Sequence, residues 1–152
     1  MSNAEFAARG VEAAKAFMER RDYEIEAVDW KCDAGQIGIV AFDPIAETLV
    51  FAEVQTRKDI DEGFPAEAVT SEKRDRMERI AASYLKEHDF GDCRVRFDTL
   101  SLLVFNENKA LLRHHINAFG GDPIDQNLQI GSSRPNPLRF PERVFFCLGA
   151  LR

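Results

Sequence analysis

Cysteine, histidine and long apolar runs are all scarce in this sequence of 152 residues. The three cysteines, Cys32, Cys93 and Cys147, are widely separated and form no CxxC pair, which argues against a disulfide framework or a thiolate zinc site. No stretch approaches the ~18 consecutive apolar residues of a membrane-spanning helix. Met1–Gly10 lacks the basic and apolar regions of a secretory signal. We therefore expect a cytoplasmic protein with reduced thiols and no membrane partner.

The sequence also lacks an excess of basic charge, since its formal net charge is −6 at pH 7. Nonspecific binding to nucleic acid is driven by the neutralisation of phosphates, so we do not expect this chain to bind DNA tightly. Basic residues do cluster locally at Lys73, Arg74, Arg76 and Arg79. This cluster is either the solvated face of a helix or, together with Arg57, a patch that binds phosphate weakly.

Apolar residues make up 45% of the chain and charged residues 30%, which is typical of a globular domain. Hydrophobic periodicity predicts a helix, three strands, a second helix and two more strands. The expected ranges are a helix at 4–21 capped by Asn3, strands at 23–31, 36–42 and 48–54, a helix at 71–87 capped by Thr70 or Ser71, and strands at 94–105 and 109–119. The long second helix can return the chain to a parallel neighbour. We therefore expect an α/β fold with a central mixed five-stranded sheet flanked by helices.

The predicted hairpin within residues 36–57 contains an unusual carboxylate, Glu53, in what should be a buried central strand. A turn centred between Ile45 and Ala46 would place Gly38 opposite Glu53. The same register would put residues 36, 38, 53 and 55 on one face. A functional site should be sought on that face, because buried carboxylates are usually paired or bound to metal.

The composition changes at Gly120, and from there to Pro141 prolines become frequent and few apolar residues cluster. We expect a domain over residues 1–119 and an extension over residues 120–152. The apolar segment 143–151 near the end of the extension could form a terminal strand or a contact site.

Many short motifs in this order resemble the YraN-like family, small bacterial proteins with a restriction-endonuclease-like fold and a presumed nuclease activity. The motifs that carry the resemblance are residues 10–18, 23–25, 29–32, 35–38, 49–57, 65–70 with Lys73, 96–98 and 115–119. The resemblance covers about residues 10–119, and the extension lies beyond it.

The resemblance implies a site in which an Asp on the first hairpin strand and a Glu on the second hold Mg²⁺, while a Lys orients the attacking water. This sequence keeps Glu53 but has Gly38 at the Asp position and Gln55 at the Lys position. Gln36 and Val11 replace two further glutamates of the family pattern. We therefore expect no bound metal, no cofactor and no useful nuclease activity by the family mechanism.

Several residues keep two interpretations. Glu53 is either a remnant metal ligand or an acid paired with Lys73, Arg57 or an amide, and Gln36 and Gln55 could join it in a neutral hydrogen-bonded network. Lys73 is either a solvated lysine at the helix start or a relocated catalytic lysine. Asp98 either caps a turn or bonds Arg96. The adjacent His114 and His115 should face opposite ways on a strand, so a shared metal ion is not expected.

Three functions remain open. The chain is a nuclease-fold protein associated with nucleic acid or a nucleic-acid-handling complex, without cleavage. Alternatively, it is a divergent endonuclease that uses Glu53, Lys73 and Mg²⁺. A third alternative is a module that binds a protein partner, or a second copy of itself, through residues 143–151.

Overall fold

The computed structural model describes residues 2–58, 70–91 and 93–118, together with the backbone of a strand at 142–147. Within these residues the elements follow the predicted order. They are α1 (Asn3–Arg20), β1 (Glu24–Cys32), β2 (Gly35–Asp43), β3 (Thr48–Arg57), α2 (Ser71–Glu87), β4 (Arg94–Val104), β5 (Lys109–His115) and β6 (Glu142–Cys147).

The described strands form one mixed sheet in the order β1-β2-β3-β4-β5-β6. Strands β3 and β4 are parallel, because α2 carries the chain back across the sheet, and all other neighbours are antiparallel. The predicted five-stranded mixed sheet is therefore confirmed for β1–β5. Its strand order is consistent with a restriction-endonuclease-like fold, and β6 adds one strand beside β5.

Helix α1 covers one face of the sheet. Its first turn is stabilised by Ser2, whose side chain accepts a hydrogen bond from the backbone N–H of Glu5, while Glu5 bonds back to Ser2. The expected cap at Asn3 is thus wrong by one residue, because the capping box needs a hydroxyl three residues before a glutamate. The buried side of α1 packs against alternate residues of the sheet. Members of this α1-side core include Ala13, Ala14, Phe17, Met18, Ile39, Val50, Ala52, Leu100 and Leu112.

Helix α2 covers the opposite face. The hydroxyl of Thr70 accepts a hydrogen bond from the backbone N–H of Lys73, so one of the two predicted caps is confirmed. The apolar stripe of α2 packs on the other set of alternating strand residues. This α2-side core contains Ile37, Val40, Leu49, Phe51, Met77, Ile80, Ala81 and Tyr84.

The hairpin register agrees with the expectation from the turn. Strands β2 and β3 pair from Asp43 opposite Thr48 to Ile39 opposite Ala52. Beyond Ala52 the ladder between these two strands ends, although β3 continues beside β4 as far as Arg57. The candidate site lies where this ladder stops.

One predicted strand ends earlier in the structure than expected. The last predicted strand was expected to reach residue 119, but β5 ends at His115 and a turn follows at 116–118. The sequence also predicts a loop at 58–63 and a short helical turn at 65–69, but residues 59–69 lie outside the described residues. The division at residue 119 stays a prediction. None of the helices within the described ranges combines the length and apolarity that crossing a bilayer requires.

Candidate functional site

Glu53 lies near the end of the central strand β3, on the side of the sheet that α2 covers. Leu49 and Phe51 precede it on this side at the alternating positions of the strand and belong to the α2-side core. The Glu53 side chain is 24% exposed, so it sits at the border between the core and the solvent. A carboxylate in this position needs partners for its charge.

Helix α2 supplies those partners. The ammonium of Lys73 lies 2.5 Å from Oε2 of Glu53, and Nη2 of Arg76 lies 3.7 Å from Oε1. Lys73 and Arg76 are three residues apart on one helix, which places both on the same face. Because Thr70 starts the helix immediately before them, the cap sets the position of both cations.

Glu53 is therefore a paired acid. The side chain of Lys73 points toward Glu53 and is only 21% exposed, so it is not a fully solvated lysine. A catalytic role for Lys73 stays a prediction. Gln55 adds a long hydrogen bond of 3.5 Å from Nε2 to Oε2 of Glu53. Gln36 does not join this network, because its amide donates to the carboxylate of Asp29 on the edge strand β1.

The predicted common face of residues 36, 38, 53 and 55 is wrong for Gly38, whereas Glu53 and Gln55 do share a face, since their side chains are hydrogen-bonded to each other. Ile37 and Val40 both belong to the α2-side core although they are three residues apart, so the alternation of β2 is broken between them. A Cβ placed on Gly38 would lie 3.0 Å from Cγ2 of Val54, a residue that packs on the α1-side core. Gly38 thus faces away from the carboxylate of Glu53.

Val11, which replaces another glutamate of the family pattern, is buried away from Glu53 and its partners. Its side chain is 8% exposed and belongs to the α1-side core. It lies with Ala14 and Met18 on the buried side of α1. A carboxylate at this position would have to be buried among apolar side chains, which is costly without a partner.

The residues present do not fit the Mg²⁺ that the family resemblance implies. Mg²⁺ in proteins relies on carboxylates and substrate phosphates, but Glu53 already has Lys73 on one oxygen and Arg76 beside the other. Gly38 offers no side chain on that side. In residues 2–58, 70–91 and 93–118, no three His, Cys, Asp or Glu side chains are grouped as metal ligands.

The predicted phosphate-binding residues lie around the same end of β3. Arg76 is half exposed, and Arg74 pairs through Nε with Glu78 at 3.2 Å on the outer surface of α2. Arg57 is partly buried at the last position of β3. Lys73, Arg74 and Arg76 therefore form a small basic surface at the start of α2, interrupted by acidic neighbours.

A second polar cluster lies on the α1 side of the sheet, and its extent was not foreseen. Asp98 on β4 is 1% exposed. The guanidinium of Arg96 donates from Nε and Nη2 to the two oxygens of Asp98, each at 2.9 Å. Nε2 of His114 on β5 lies 2.8 Å from Oδ2 of Asp98. The backbone N–H of Asn117 donates to Oδ1 at 2.9 Å, so Asp98 both bonds Arg96 and anchors a turn.

These contacts determine the charge of Asp98. Burial alone would raise the pKa of its carboxyl group, but the hydrogen bonds and positive charges supplied by His114 and Arg96 outweigh burial and hold the pKa below its ordinary value. The same contacts raise the pKa of the Arg96 guanidinium against the opposing effect of burial. Asp98 and Arg96 thus form an ion pair in which the carboxylate is buried and the guanidinium is partly buried.

Aromatic residues enclose this cluster. The hydroxyl of Tyr23 accepts a hydrogen bond from Nη2 of Arg96 at 2.9 Å, and burial raises the pKa of that phenol. The rings of Phe17 and Tyr23 meet the His114 ring edge-on, with centroids 5.9 and 6.1 Å away. The sequence signal for the pair was the spacing of Arg96 and Asp98, two apart on one strand, but nothing local pointed to His114.

The sequence model of Uncharacterised protein family UPF0102 matches residues 11–102. The chain belongs to this family. It is 38% identical over 107 residues to a UPF0102 protein of Nocardia farcinica, which covers 70% of this chain and 83% of that protein. It is 35% identical over 105 residues to one of Renibacterium salmoninarum (69% and 87%) and 34% identical over 111 residues to one of Geobacter sulfurreducens (73% and 85%).

Membership of UPF0102 confirms the resemblance to YraN-like proteins. The matched region runs from α1 into β4 and contains Glu53, Lys73 and the Arg96–Asp98 pair. His114 lies after its last residue. The family name carries no activity, so the chemistry of this UPF0102 chain follows from its own side chains.

Proposed function

We propose that this chain is a nuclease-fold protein that associates with nucleic acid, or with a complex that handles nucleic acid, and does not cleave by a metal-dependent mechanism. The observation that supports this most is the pairing of Glu53 with Lys73 and Arg76. The only family acid retained at the hairpin is thereby neutralised by cations, and Gly38 and Gln55 offer neither a further acid nor a lysine.

The proposed contact surface consists of Lys73, Arg74 and Arg76 at the start of α2, with Arg57 at the end of β3. These residues can contact only a few phosphates, and the net charge of −6 opposes a close approach by a polyanion. We therefore expect weak, salt-sensitive binding that becomes effective beside a protein partner. A cytoplasmic location is part of the same proposal.

Titration calorimetry with Mg²⁺ and Mn²⁺ tests the loss of metal chemistry. The expected result is no binding at micromolar concentrations and no cleavage of single-stranded, flapped or branched DNA. Micromolar binding that disappears in Glu53→Gln would contradict the proposal, because that residue would then be a metal ligand.

Salt-dependent DNA binding tests the contact surface. In Arg74→Ala/Arg76→Ala, affinity should fall and the slope of log K against log salt should become shallower by about 2 units. Lys15→Ala/Lys86→Ala removes the same charge elsewhere, on α1 and at the far end of α2, and serves as the control. Equal effects of the two double variants would leave only a nonspecific charge effect and would reject the surface.

The second candidate function is a divergent nuclease, which the direct contact between Lys73 and Glu53 favours. In this alternative Lys73 replaces the lysine missing at Gln55. Cleavage abolished by both Glu53→Gln and Lys73→Ala would establish it. Cleavage that survives both substitutions would come from a contaminating enzyme.

A further inference from the structure

A cavity of about 300 Å³ opens on the α1 side of the sheet, beyond the sites described above. It lies between the first turns of α1 and the ends of β3 and β4. Its walls include the rings of Phe6 and Phe105 and the side chains of Leu102 and Thr56. Glu53 and α2 lie on the other side of β3, so this cavity is separate from the candidate site.

The close approach of α1 to β3 forms the floor of this cavity. A Cβ on Gly10 would overlap Oγ1 of Thr56, so the helix reaches this position only because Gly10 has no side chain. Phe6 lies one turn earlier on α1, and its ring forms a wall of the cavity. The hydroxyl of Thr56 thus lies on a mostly apolar surface.

Two cations line the cavity, Arg9 from α1 and Lys58, which follows the last residue of β3. Arg9 donates from Nη2 to the backbone carbonyl of Glu107 at 3.4 Å, and the ammonium of Lys58 lies 4.6 Å from the centroid of the Phe6 ring. In the described part of the chain, neither cation forms an ion pair with a carboxylate. Glu107 also lines the cavity, which leaves an excess of positive charge.

We propose that this cavity binds a single nucleotide, with its base against Phe6 and its phosphate between Arg9 and Lys58. A flat aromatic base suits the apolar and aromatic walls, and a phosphate suits two cations that no carboxylate neutralises. The volume is at the lower end of the range for ligand cavities, which admits one nucleotide and excludes a duplex. A cation–π contact at an exposed site is weak, so a phosphate can draw Lys58 from the ring.

This inference goes beyond the proposed function, because it concerns the opposite side of the sheet and does not require Lys73, Arg74 or Arg76. Either proposal can fail alone. Loss of DNA binding in Arg74→Ala/Arg76→Ala with nucleotide binding unchanged would leave this inference intact.

The test is calorimetry and ligand-observed NMR on the full chain with AMP, adenosine, inorganic phosphate and octanoate. AMP should bind at least about tenfold more tightly than each of the other three, since only AMP carries both an aromatic base and a phosphate. Adenosine or phosphate binding as well as AMP would overturn the proposal. Tighter binding of octanoate would identify a site for aliphatic anions and would overturn it too.

Variants locate the binding. Phe6→Leu keeps an apolar side chain and should weaken AMP binding about tenfold, while adenosine loses a similar factor. Lys58→Gln and Arg9→Gln should each weaken AMP binding several-fold without changing the affinity for adenosine. Lys15→Gln on the same helix is the matched control and should bind AMP normally. Because Lys58 is exposed, its variant tests the site even if Phe6→Leu is unstable; unchanged AMP affinity in Lys58→Gln and Arg9→Gln would reject the site.

Discussion

Lys73 on α2 and Glu53 on β3 form an ion pair with 2.5 Å between Nζ and Oε2. The pair joins the start of a helix to the end of the central strand, at the point where the ladder between β2 and β3 stops. Glu53 is the one acid of the family pattern that this chain keeps in the hairpin, and the ion pair engages it. The chemistry at the end of β3 therefore depends on whether Glu53 leaves Lys73 for another partner.

The pair should stabilise the fold modestly. A double-mutant cycle with Glu53→Gln and Lys73→Met should give a coupling energy of about 1 kcal/mol that decreases at high salt, because both side chains remain partly exposed. Urea unfolding measures it. The exposed pair of Arg74 and Glu78 serves as the internal comparison and should give about 0.3–0.5 kcal/mol. A coupling energy for Glu53 and Lys73 that is smaller than this would show that the contact is not maintained in solution.

Restoring the family residues should not restore metal chemistry. Gly38→Asp/Gln55→Lys is expected to show neither Mg²⁺ binding by calorimetry nor Mg²⁺-dependent DNA cleavage, since position 38 faces Val54 and not Glu53. Gly38→Ala is the control for strain and should lower the unfolding free energy by about 1–2 kcal/mol. Cleavage that requires both Mg²⁺ and Glu53 in the restored variant would show that position 38 faces the site.

Helix α1 should tolerate no side chain at Gly10. Gly10→Ala is expected to destabilise the protein by about 1–3 kcal/mol, because its Cβ would overlap Oγ1 of Thr56. Thermal and urea unfolding measure the loss. Thr56→Ala should recover much of it in the double variant, whereas additive losses would place the two residues apart.

Asp98 should be among the most sensitive positions for stability. Asp98→Asn removes the nearer countercharge of Arg96, leaving only Asp43 at 3.4 Å, and replaces one of the two oxygens that accept from Arg96, His114 and Asn117 by an NH₂ group. A loss of about 3–5 kcal/mol is therefore expected in guanidinium unfolding. Asp98→Leu/Arg96→Met removes both charges and should cost less than the sum of the single losses. Strict additivity would mean that the two groups do not interact.

Acid should destabilise the protein through Asp98 with a defined sign. The pKa of this carboxyl group is lowered in the folded state, so the unfolded state takes up the proton first as the pH falls. The stabilisation is complete above the unfolded pKa of about 4 and is lost as the pH falls toward the lower folded value. Urea unfolding from about pH 6 to pH 2.5 should show a smaller decline in Asp98→Asn than in the wild type. Parallel profiles would exclude Asp98 as the source.

Local sequence patterns determined most of the fold. The periodicity of α1 and α2 and the apolar strand segments predicted every helix and strand of the core sheet in order. The turn after Asp43 set the register of β2 and β3, because a hairpin register follows from its turn. The ends of elements were less certain, as at the Ser2 cap and at His115, since they depend on single hydrogen bonds.

The candidate site was only partly accessible from sequence. Glu53 was identifiable as a carboxylate within an apolar strand, and Lys73 as its possible partner. The sequence alone left open whether Lys73 turns inward, because a helix can rotate on a sheet until its packing is complete. The break in alternation near Gly38 was also hidden, since strict period two is the default for a strand.

The family of the chain, the order of its elements and the absence of an acid or lysine at Gly38 and Gln55 can all be read from the residues alone. Only the tertiary structure decided that Glu53 is held by α2, that Gly38 faces the other side, and that Asp98 meets His114. The physical reason is that these contacts join residues distant in the chain. Their geometry depends on how the helices pack and how the strands twist, and no local pattern encodes that.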